Sequence, residues 1–268
     1  MRAWRPTLLL KLSILLHALG LPLLLLEPQL WPWILAVVGG DHVIITLAGL
    51  APRSTLLGPN VTRLPESAAR RGEVAITIDD GPDAQVTPQV LAVLEEFGAK
   101  ATFFCIGERA AAHPELCRRI VAAGHSIENH GQRHRKLGAL LLGYRGWLQE
   151  VGAAQDTLTA IAGRPPHFFR ALAGLRNPFL EPALHHLGLH LSSWTWRGFD
   201  TGTGDPDRVL SRLTRNLAAG DILLLHDGHC ARTPSGKPVI VEVLPRLLSK
   251  LRASKLEPVT LASACLPS

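Results

Sequence analysis

Short apolar segments alternate with longer helical segments from Glu73 to the end of the chain, and this alternation constrains the fold most. Strands that are separated by helices pair in parallel, with the helices packed on the faces of the sheet. The pattern therefore predicts an α/β fold with a parallel sheet, either closed as a barrel or doubly wound. The predicted strands are 73–78, 101–105, 126–128, 167–170, 190–194, 221–225 and 258–261, and the predicted helices 88–97, 114–123, 145–162, 178–187, 207–218 and 239–253.

Two apolar segments precede this pattern and predict an N-terminal transmembrane region. Thr7–Leu26 is rich in leucine and is long enough to cross the hydrocarbon core of a bilayer. Trp31–Leu50 begins with tryptophans typical of a membrane interface, although an ionised Asp41 in mid-span costs roughly 2.5–3.5 kcal/mol on insertion scales. A cleaved signal peptide is the alternative for the first segment, but no small-residue cleavage site follows it. A membrane hairpin of two helices is the preferred prediction.

The distribution of basic residues predicts the orientation of the chain in the membrane. Arg2 and Arg5 precede the first apolar segment, Arg53 and Arg63 follow the second, and only Glu27 is charged between them. If both segments span, the positive-inside rule places both ends and the large domain in the cytoplasm. If only the first segment spans, the same rule places the domain outside. We expect a multi-pass protein of the bacterial inner membrane, with the side of the large domain left open.

The 268 residues are thus divided into three parts: a membrane anchor over 1–50, a connector rich in proline and glycine over 51–71, and a large α/β domain over 72–268. The net charge of +6 comes from basic residues that are scattered along the chain. Because no basic run with interleaved aromatic residues is present, nucleic-acid binding is not expected. The expected partner at this point is the membrane, and the sequence carries no signal for or against a protein partner.

The first strand of the domain ends in two adjacent carboxylates and a Gly-Pro turn, Thr77-Ile78-Asp79-Asp80-Gly81-Pro82. In barrels of parallel strands the catalytic groups lie at the C-terminal ends of the strands. Neighbouring residues of a strand face opposite sides of the sheet. Asp79 and Asp80 therefore need separate roles or a locally bent backbone.

Two histidines four residues apart follow the third predicted strand. One helical turn would point His130 and His134 in the same direction. Two imidazoles and a carboxylate form a common metal site that leaves coordination positions open for water and substrate. Two surface histidines are the alternative interpretation, because the chain contains twelve histidines.

Three other strands also end in ionisable residues. Arg170 ends one, the segment Trp194-Thr195-Trp196-Arg197-Gly198-Phe199-Asp200 follows another, and His226 ends the aliphatic strand 221–225. A histidine at the end of a buried strand is more often a satisfied core group than a catalyst. Its importance depends on whether it meets the end of the first strand in space.

The ordered set of these motifs resembles the polysaccharide deacetylases with a NodB-type domain, carbohydrate esterase family 4. The motifs are T-x-D-D-G at 77–81, H-x-x-x-H at 130–134, an arginine at 170, an aspartate at 200 and L-x-H at 224–226. The resemblance covers 73–261 and implies a distorted (β/α)7 barrel that binds one divalent metal ion, with zinc preferred over cobalt or nickel. It also implies hydrolysis of N-acetyl or similar acyl groups on amino sugars, that is, of C–N bonds other than peptide bonds.

The resemblance further implies a role for each residue at a matching position. It implies metal ligation by Asp80, His130 and His134, and Asp79 as the general base. His226 would be the general acid that protonates the leaving amine, Arg170 would orient Asp79, and Asp200 would orient His226. Leu224 would line the pocket for the acyl methyl group.

Two departures from the family pattern concern the substrate groove. The family's Arg-Pro-Pro-Tyr-Gly reads Arg170-Ala171-Leu172-Ala173-Gly174 here, so that Ala173 retains only the backbone N–H for the oxyanion. The usual Asp-Trp pair reads Asp200-Thr201, for which Trp194 or Trp196 is the expected replacement. Three functions follow: deacetylation of an amino-sugar glycan, deacylation of a lipid-linked sugar at the membrane, or non-catalytic glycan binding by a membrane-anchored protein that keeps the fold.

Overall fold

The computed structural model describes residues 4–134 and 141–266. Arg2, one of the basic residues from which the membrane orientation was predicted, lies outside the described residues. The strands are β1 Glu73–Gly81, β2 Thr102–Cys105, β3 Ser126–Asn129, β4 Phe168–Phe169, β5 His190–Leu191, β6 Trp196–Arg197, β7 Ile222–His226 and β8 Glu257–Val259. The α-helices are α1 Leu8–Leu26, α2 Trp31–Leu50, α3 Glu66–Arg70, α4 Thr87–Phe97, α5 Gly107–Ala112, α6 Pro114–Ala122, α7 Tyr144–Ala162, α8 Leu180–Leu187, α9 Pro206–Thr214, α10 Val239–Ala253 and α11 Leu261–Cys265. Two 3₁₀ turns, Pro28–Leu30 and Leu172–Gly174, complete the described elements.

The strands form one curled parallel sheet in the order β5-β4-β3-β2-β1-β7-β6, and β8 pairs with the beginning of β1. The domain from β1 onwards therefore has the distorted barrel fold that the family resemblance implied. The short β6 was predicted only as part of a strand end, because two residues give no periodic signal. The central strand is β1, with β2 on one side and β7 on the other.

Alternating residues of β1 face two different hydrophobic clusters. Val74, Ile76 and Ile78 pack in the larger cluster between the sheet and its helices, whereas Ala75 packs in a smaller cluster inside the curl. Strand β7 follows the same rule, because Leu223 faces the helices. Fully burying a side chain of this size contributes about 1.5–3 kcal/mol to folding. This two-sided packing sets the sheet face on which each strand-end side chain lies.

The predicted connector is an ordered part of the domain. Val61 bridges to Ser192 after β5, and Arg63 bridges to Asp221 before β7. The Arg63 guanidinium also pairs with the buried Asp221 carboxylate at 3.0 Å. Leu64 is buried in the cluster inside the curl. The segment thus fills the open side of the curled sheet between β5 and β7.

The two N-terminal helices are antiparallel neighbours, and each is long and apolar enough to cross a membrane. The Ser13 hydroxyl donates a hydrogen bond to Asp41 Oδ2 at 2.7 Å, so this carboxylate in the middle of α2 faces α1. Asp41 also lies close to His17 and His42, both of which are exposed. Where α1 begins, the Thr7 hydroxyl donates to the carbonyl oxygen of Leu56 at 2.7 Å. The helices therefore contact the domain at the start of α1 and the end of α2.

Candidate active site and metal centre

A bulge at the end of β1 turns two adjacent carboxylates towards the same cavity. Asp79 pairs in register with Phe104 and Gly81 pairs with Cys105, which leaves Asp80 as the extra residue. Asp80 has φ of 71°, a left-handed conformation that is uncommon for residues other than glycine. Regular alternation would direct Asp80 towards the helices. The bent backbone instead places both carboxylates in the lining of one cavity.

Asp80, His130 and His134 form a compact group whose potential ligand atoms all lie within 4.8 Å of one another. Nε2 of His130 lies 3.1 Å, and Nε2 of His134 lies 3.0 Å, from the same carboxylate oxygen, Oδ1 of Asp80. The segment 130–134 is not helical, contrary to the prediction of one helical turn. His134 has φ of 52°, and this bend rather than helical spacing brings the two rings together.

The donors of this group fit a divalent metal ion. Nδ1–H of His130 donates to the backbone carbonyl of Arg170 at 2.8 Å, so that Nε2 of the neutral ring carries a lone pair. Nε2 of His134 is buried and, although it lies 3.0 Å from Asp80 Oδ1, the geometry between them is not that of a hydrogen bond. Burial would raise the pKa of Asp80, but protonated rings of the two histidines would lower it well below its ordinary value, and a divalent cation would take the place of those protons. A cation would satisfy these three acceptors, and two imidazoles with one carboxylate are a ligand set typical of zinc and related ions.

Arg170 holds the first carboxylate of the site. Its Nη1 donates to Asp79 Oδ1 at 2.8 Å and to the Thr77 hydroxyl at 2.6 Å. Its Nη2 donates to the carbonyl of Ser193 at 2.8 Å, and its guanidinium carbon lies 4.0 Å from the centre of the Phe104 ring. The side chain is fully buried. These contacts leave Oδ2 of Asp79 as the carboxylate oxygen that accepts no hydrogen bond from the described residues.

Asp200 holds His226 by two hydrogen bonds. Its Oδ2 accepts the backbone N–H of His226 at 2.7 Å, and its Oδ1 accepts Nδ1–H at 2.8 Å. Burial disfavours the charged ring, but the hydrogen bond to Asp200, with the charges of Asp200, Asp79 and Asp80, raises the pKa of His226 above its ordinary value. Nε2 is then the ring atom that His226 presents to the cavity.

The loop after β4 supplies a backbone N–H. Ala173 lies in the turn Leu172–Gly174 with φ of 51°, and its N–H donates to no acceptor among the described residues. The neighbouring Gly174 N–H, in contrast, donates to the carbonyl of Ala171 at 2.9 Å. A free N–H in a left-handed turn can bind an anionic oxygen.

These groups share one cavity of about 420 Å³. Leu224 and Trp194 also line it. Trp196 does not, because it lies on the other face of β6, where its Nε1–H donates to Asp221 Oδ2 at 3.0 Å. The cavity lining is Asp79, Asp80, His130, His134, Leu172, Ala173, Trp194, Arg197, Thr201, Leu224, His226 and His229.

Three further residues around this cavity were not predicted from the sequence. Nδ1 of His229 lies within hydrogen-bond distance of Asp80 Oδ2, at 3.2 Å, and its ring stacks near that of His134. Arg109 donates to the backbone carbonyl of Asp80 at 2.7 Å, which supports the bulge. Arg197 lines the cavity directly. His229 was detectable, because it lies three residues after His226, whereas the sequence carries no signal that joins Arg109 to β1.

Comparison with known proteins agrees with this geometry. A family model described as polysaccharide deacetylase matches residues 66–192, which contain the three metal-ligand candidates, Asp79 and Arg170. The chain is similar to a peptidoglycan-N-acetylglucosamine deacetylase of Bacillus cereus, with 30% identity over 188 residues that cover 65% of this chain and 81% of the relative. It is also 33% identical to a chitooligosaccharide deacetylase of Sinorhizobium fredii, over 62% of this chain and 76% of the relative.

Solved structures give the same result. A peptidoglycan N-acetylglucosamine deacetylase in complex with 4-naphthalen-1-yl-N-oxidanyl-benzamide matches with a TM-score of 0.69 and 27% identity, over 78% of this chain and 94% of that one. A family 4 carbohydrate esterase from Streptomyces lividans in complex with acetate matches with a TM-score of 0.62 and 28% identity, over 70% and 91%. A family 4 pseudoenzyme from Bacillus anthracis, 19% identical with a TM-score of 0.68 over 77% and 68%, shares the fold alone.

Proposed function

The chain belongs to the polysaccharide deacetylase family, and from this premise we propose that it is a metal-dependent hydrolase of N-acetyl or similar acyl groups on amino sugars. The bond broken is a C–N bond other than a peptide bond, and the sugar belongs to a glycan or a lipid-linked saccharide. The observation that carries the proposal is that a single cavity contains a carboxylate held by Arg170, a histidine held by Asp200 and a three-residue metal set. Both relatives are named as deacetylases of a saccharide, one of peptidoglycan N-acetylglucosamine and one of chitooligosaccharides.

Asp80, His130 and His134 would hold one divalent metal ion, for which zinc is the first choice and cobalt or nickel are alternatives. Such an ion polarises an acyl carbonyl and makes hydroxide available near neutral pH. The Arg170 carbonyl keeps the His130 ring in the tautomer that ligation requires. His229, at the other oxygen of Asp80, orients that carboxylate from the solvent side.

Asp79 is the proposed general base. Arg170 fixes one of its oxygens, and the other is left to take a proton from the attacking water. Attack of that water on the carbonyl carbon produces a negatively charged oxygen. The N–H of Ala173 donates to that oxygen, and a preorganised donor of this kind contributes roughly 2.7–4 kcal/mol in other hydrolases.

His226 is the proposed general acid. An amine is a poor leaving group unless it is protonated as the C–N bond breaks. Nε2 of His226 donates the proton, Asp200 stabilises the charged ring before the transfer, and the products are a carboxylate and a free amine. Leu224 and Trp194 provide the apolar wall of the cavity, which suits a small acyl group. Trp196, on the other face, takes no part in this proposal.

We also propose that residues 1–50 anchor the enzyme in a membrane, with the catalytic unit extending from 51 to 268. The anchoring is supported by the length and hydropathy of α1 and α2. The revised start of the catalytic unit is supported by the contacts of 61–64 with β5 and β7. A fusion reporter at the C-terminus tests the orientation, and protease protection of inverted vesicles gives an independent reading.

Release of acetate from N-acetylated oligosaccharides by the purified full chain tests the proposed activity. We expect turnover that is lost with a chelator and restored by zinc or cobalt. A non-catalytic glycan-binding protein would bind the same oligosaccharides without releasing acetate. The complete set of acid, base and ligand residues in one cavity supports the enzyme over this alternative.

A further inference from the structure

Arg197 is a cation of the cavity to which the proposed chemistry assigns no role. It ends β6 and faces the cavity because its neighbour Trp196 faces the opposite side of the strand. Its guanidinium carbon lies 5.5 Å from the centre of the Trp194 ring and 4.9 Å from the centre of the Phe199 ring. Two aromatic rings thus hold the side chain against the cavity wall.

No described protein group neutralises Arg197. Its Nε is buried and has no hydrogen-bond partner among the residues of 4–134 and 141–266. The carboxylates of the site pair with other residues: Asp79 with Arg170, Asp80 with His130 and His134, and Asp200 with His226. Arg212 stacks near the same Phe199 ring, but donates to the carbonyl of Gly198 and does not line the cavity.

A half-buried guanidinium without an acceptor suits an anionic ligand. Its planar fork binds phosphate through two parallel N–H donors, and such charge-assisted hydrogen bonds are about twice as strong as neutral ones. A neutral N-acetylated oligosaccharide offers no anion to this position. The charge of Arg197 therefore indicates that the sugar carries an additional anionic group.

The place of the cavity in the fold indicates where that anion comes from. The loop that carries Ala173 continues to Arg176, whose backbone N–H donates to the carbonyl of Gly49 near the end of α2 at 3.1 Å. Just after α2, Pro52 packs against Gly174, and its carbonyl accepts the Ser193 hydroxyl at 2.7 Å. One wall of the cavity is therefore built directly on the end of an apolar helix.

Resting on the proposed deacylase activity, we infer that Arg197 forms a phosphate subsite and that the substrate is an amino sugar joined through phosphate to a membrane lipid. A nucleotide-linked sugar offers the same phosphate chemistry from solution. The wall shared with α2 favours the lipid, because a cavity at the membrane surface reaches a head group that remains anchored in the bilayer.

The test measures kcat and KM of the full chain in lipid vesicles with three substrates: N-acetylglucosamine linked through phosphate to a polyprenyl chain, a nucleotide-diphosphate N-acetylglucosamine, and neutral chitotriose. We expect kcat/KM to be highest for the lipid-linked sugar. Arg197→Gln should lower that value by about 10- to 100-fold, mainly through KM, as expected for a lost hydrogen bond to a charged group. Arg197→Lys should retain part of it, and neutral chitotriose should lose far less than the phosphate-linked substrates in either variant.

Arg212→Gln is the matched control, since it removes a neighbouring guanidinium outside the cavity and should leave all three substrates unchanged. Equal losses on charged and neutral substrates in Arg197→Gln would assign Arg197 a structural role and overturn the inference. A higher kcat/KM for the nucleotide sugar would keep the phosphate contact but overturn the membrane source. Melting temperatures of the variants identify any misfolded protein.

A binding measurement separates failure of the inference from failure of the proposed activity. If the full chain hydrolyses none of the substrates, the proposed activity fails, and calorimetric titration with N-acetylglucosamine 1-phosphate still tests the subsite. Binding that is lost in Arg197→Gln and retained in Arg212→Gln supports the phosphate subsite. Equal binding by all three proteins overturns it.

Discussion

Asp200 accepts two hydrogen bonds from His226, one from the ring and one from the backbone, at 2.8 Å and 2.7 Å. The backbone bond fixes the position of the residue, and the ring bond fixes its tautomer and favours its charged form. The pair therefore decides the pH range over which His226 can donate a proton.

Replacing Asp200 with Asn should move the alkaline limb of the kcat/KM profile to lower pH. The Asp200 charge raises the pKa of His226 against the effect of burial, so removing it lowers the pKa, and the ring loses its proton at a lower pH. Metal content should remain normal. Asp156→Asn, on the exposed face of α7, is a control for the loss of one negative charge. An unmoved alkaline limb would show that His226 does not titrate in this step.

His226→Ala should reduce hydrolysis of an amide far more than hydrolysis of an activated ester of the same acyl group. General acid catalysis contributes about 10²- to 10⁴-fold, and a good leaving group needs little of it. Rates are compared for an N-acetyl sugar and an aryl acetate at saturating metal. Equal losses on the two substrates would contradict the assignment of His226 as the acid.

His130→Ala should abolish metal binding together with deacylation. His130 provides one of three proposed ligands, and its Nδ1 contact with Arg170 holds the ring in the tautomer that leaves Nε2 free for the ion. Elemental analysis of the purified full chain should give about one divalent ion in the native protein and little in the variant. His186→Ala, an exposed histidine on α8, should keep the full complement. A normal metal content in His130→Ala would refute the ligand set.

A chain that begins at Ala51 should be soluble and more stable than one that begins at Arg70. The shorter chain lacks Leu64, whose burial contributes about 1.5–3 kcal/mol, and it leaves the buried Asp221 without its Arg63 partner. Thermal unfolding followed by circular dichroism compares the two. Equal melting temperatures would mean that segment 51–69 is a dispensable connector after all.

Gly49→Ala should lower deacylation because it disturbs the contact between α2 and the cavity wall. A Cβ at this position would lie 2.2 Å from the carbonyl oxygen of Arg176, so the loop carrying Ala173 must shift. Gly40→Ala, in mid-helix with no atom within 4 Å of the added Cβ, is the matched control. Activity and metal content are measured for both variants. Full activity in Gly49→Ala would show that the wall tolerates displacement from α2.

The sequence by itself determined the elements that carry the site and the face on which several residues lie. Strand alternation is a local property, so the spacing of the residues alone assigns Ile76 and Ile78 to one face of β1, and Thr77 and Asp79 to the other. Most predicted helices agree with the structure to within two residues, although α9 ends at Thr214, four residues early. The ordered motifs resemble those of a known family, and the comparisons with known proteins confirm that resemblance. The elements and the strand faces needed only the periodicity of the chain.

Only the tertiary structure decided which strand ends meet. Asp79 and Arg170 are 91 residues apart in the chain, and their 2.8 Å contact depends on the curl of the sheet rather than on either local sequence. Asp80 faces the cavity because a bulge overrides the alternation of β1. Arg197 rather than Trp196 reaches the cavity because the pairing of β6 with β7 sets which side of that strand faces inward. Backbone register and closure arise from long-range packing, which no short segment encodes.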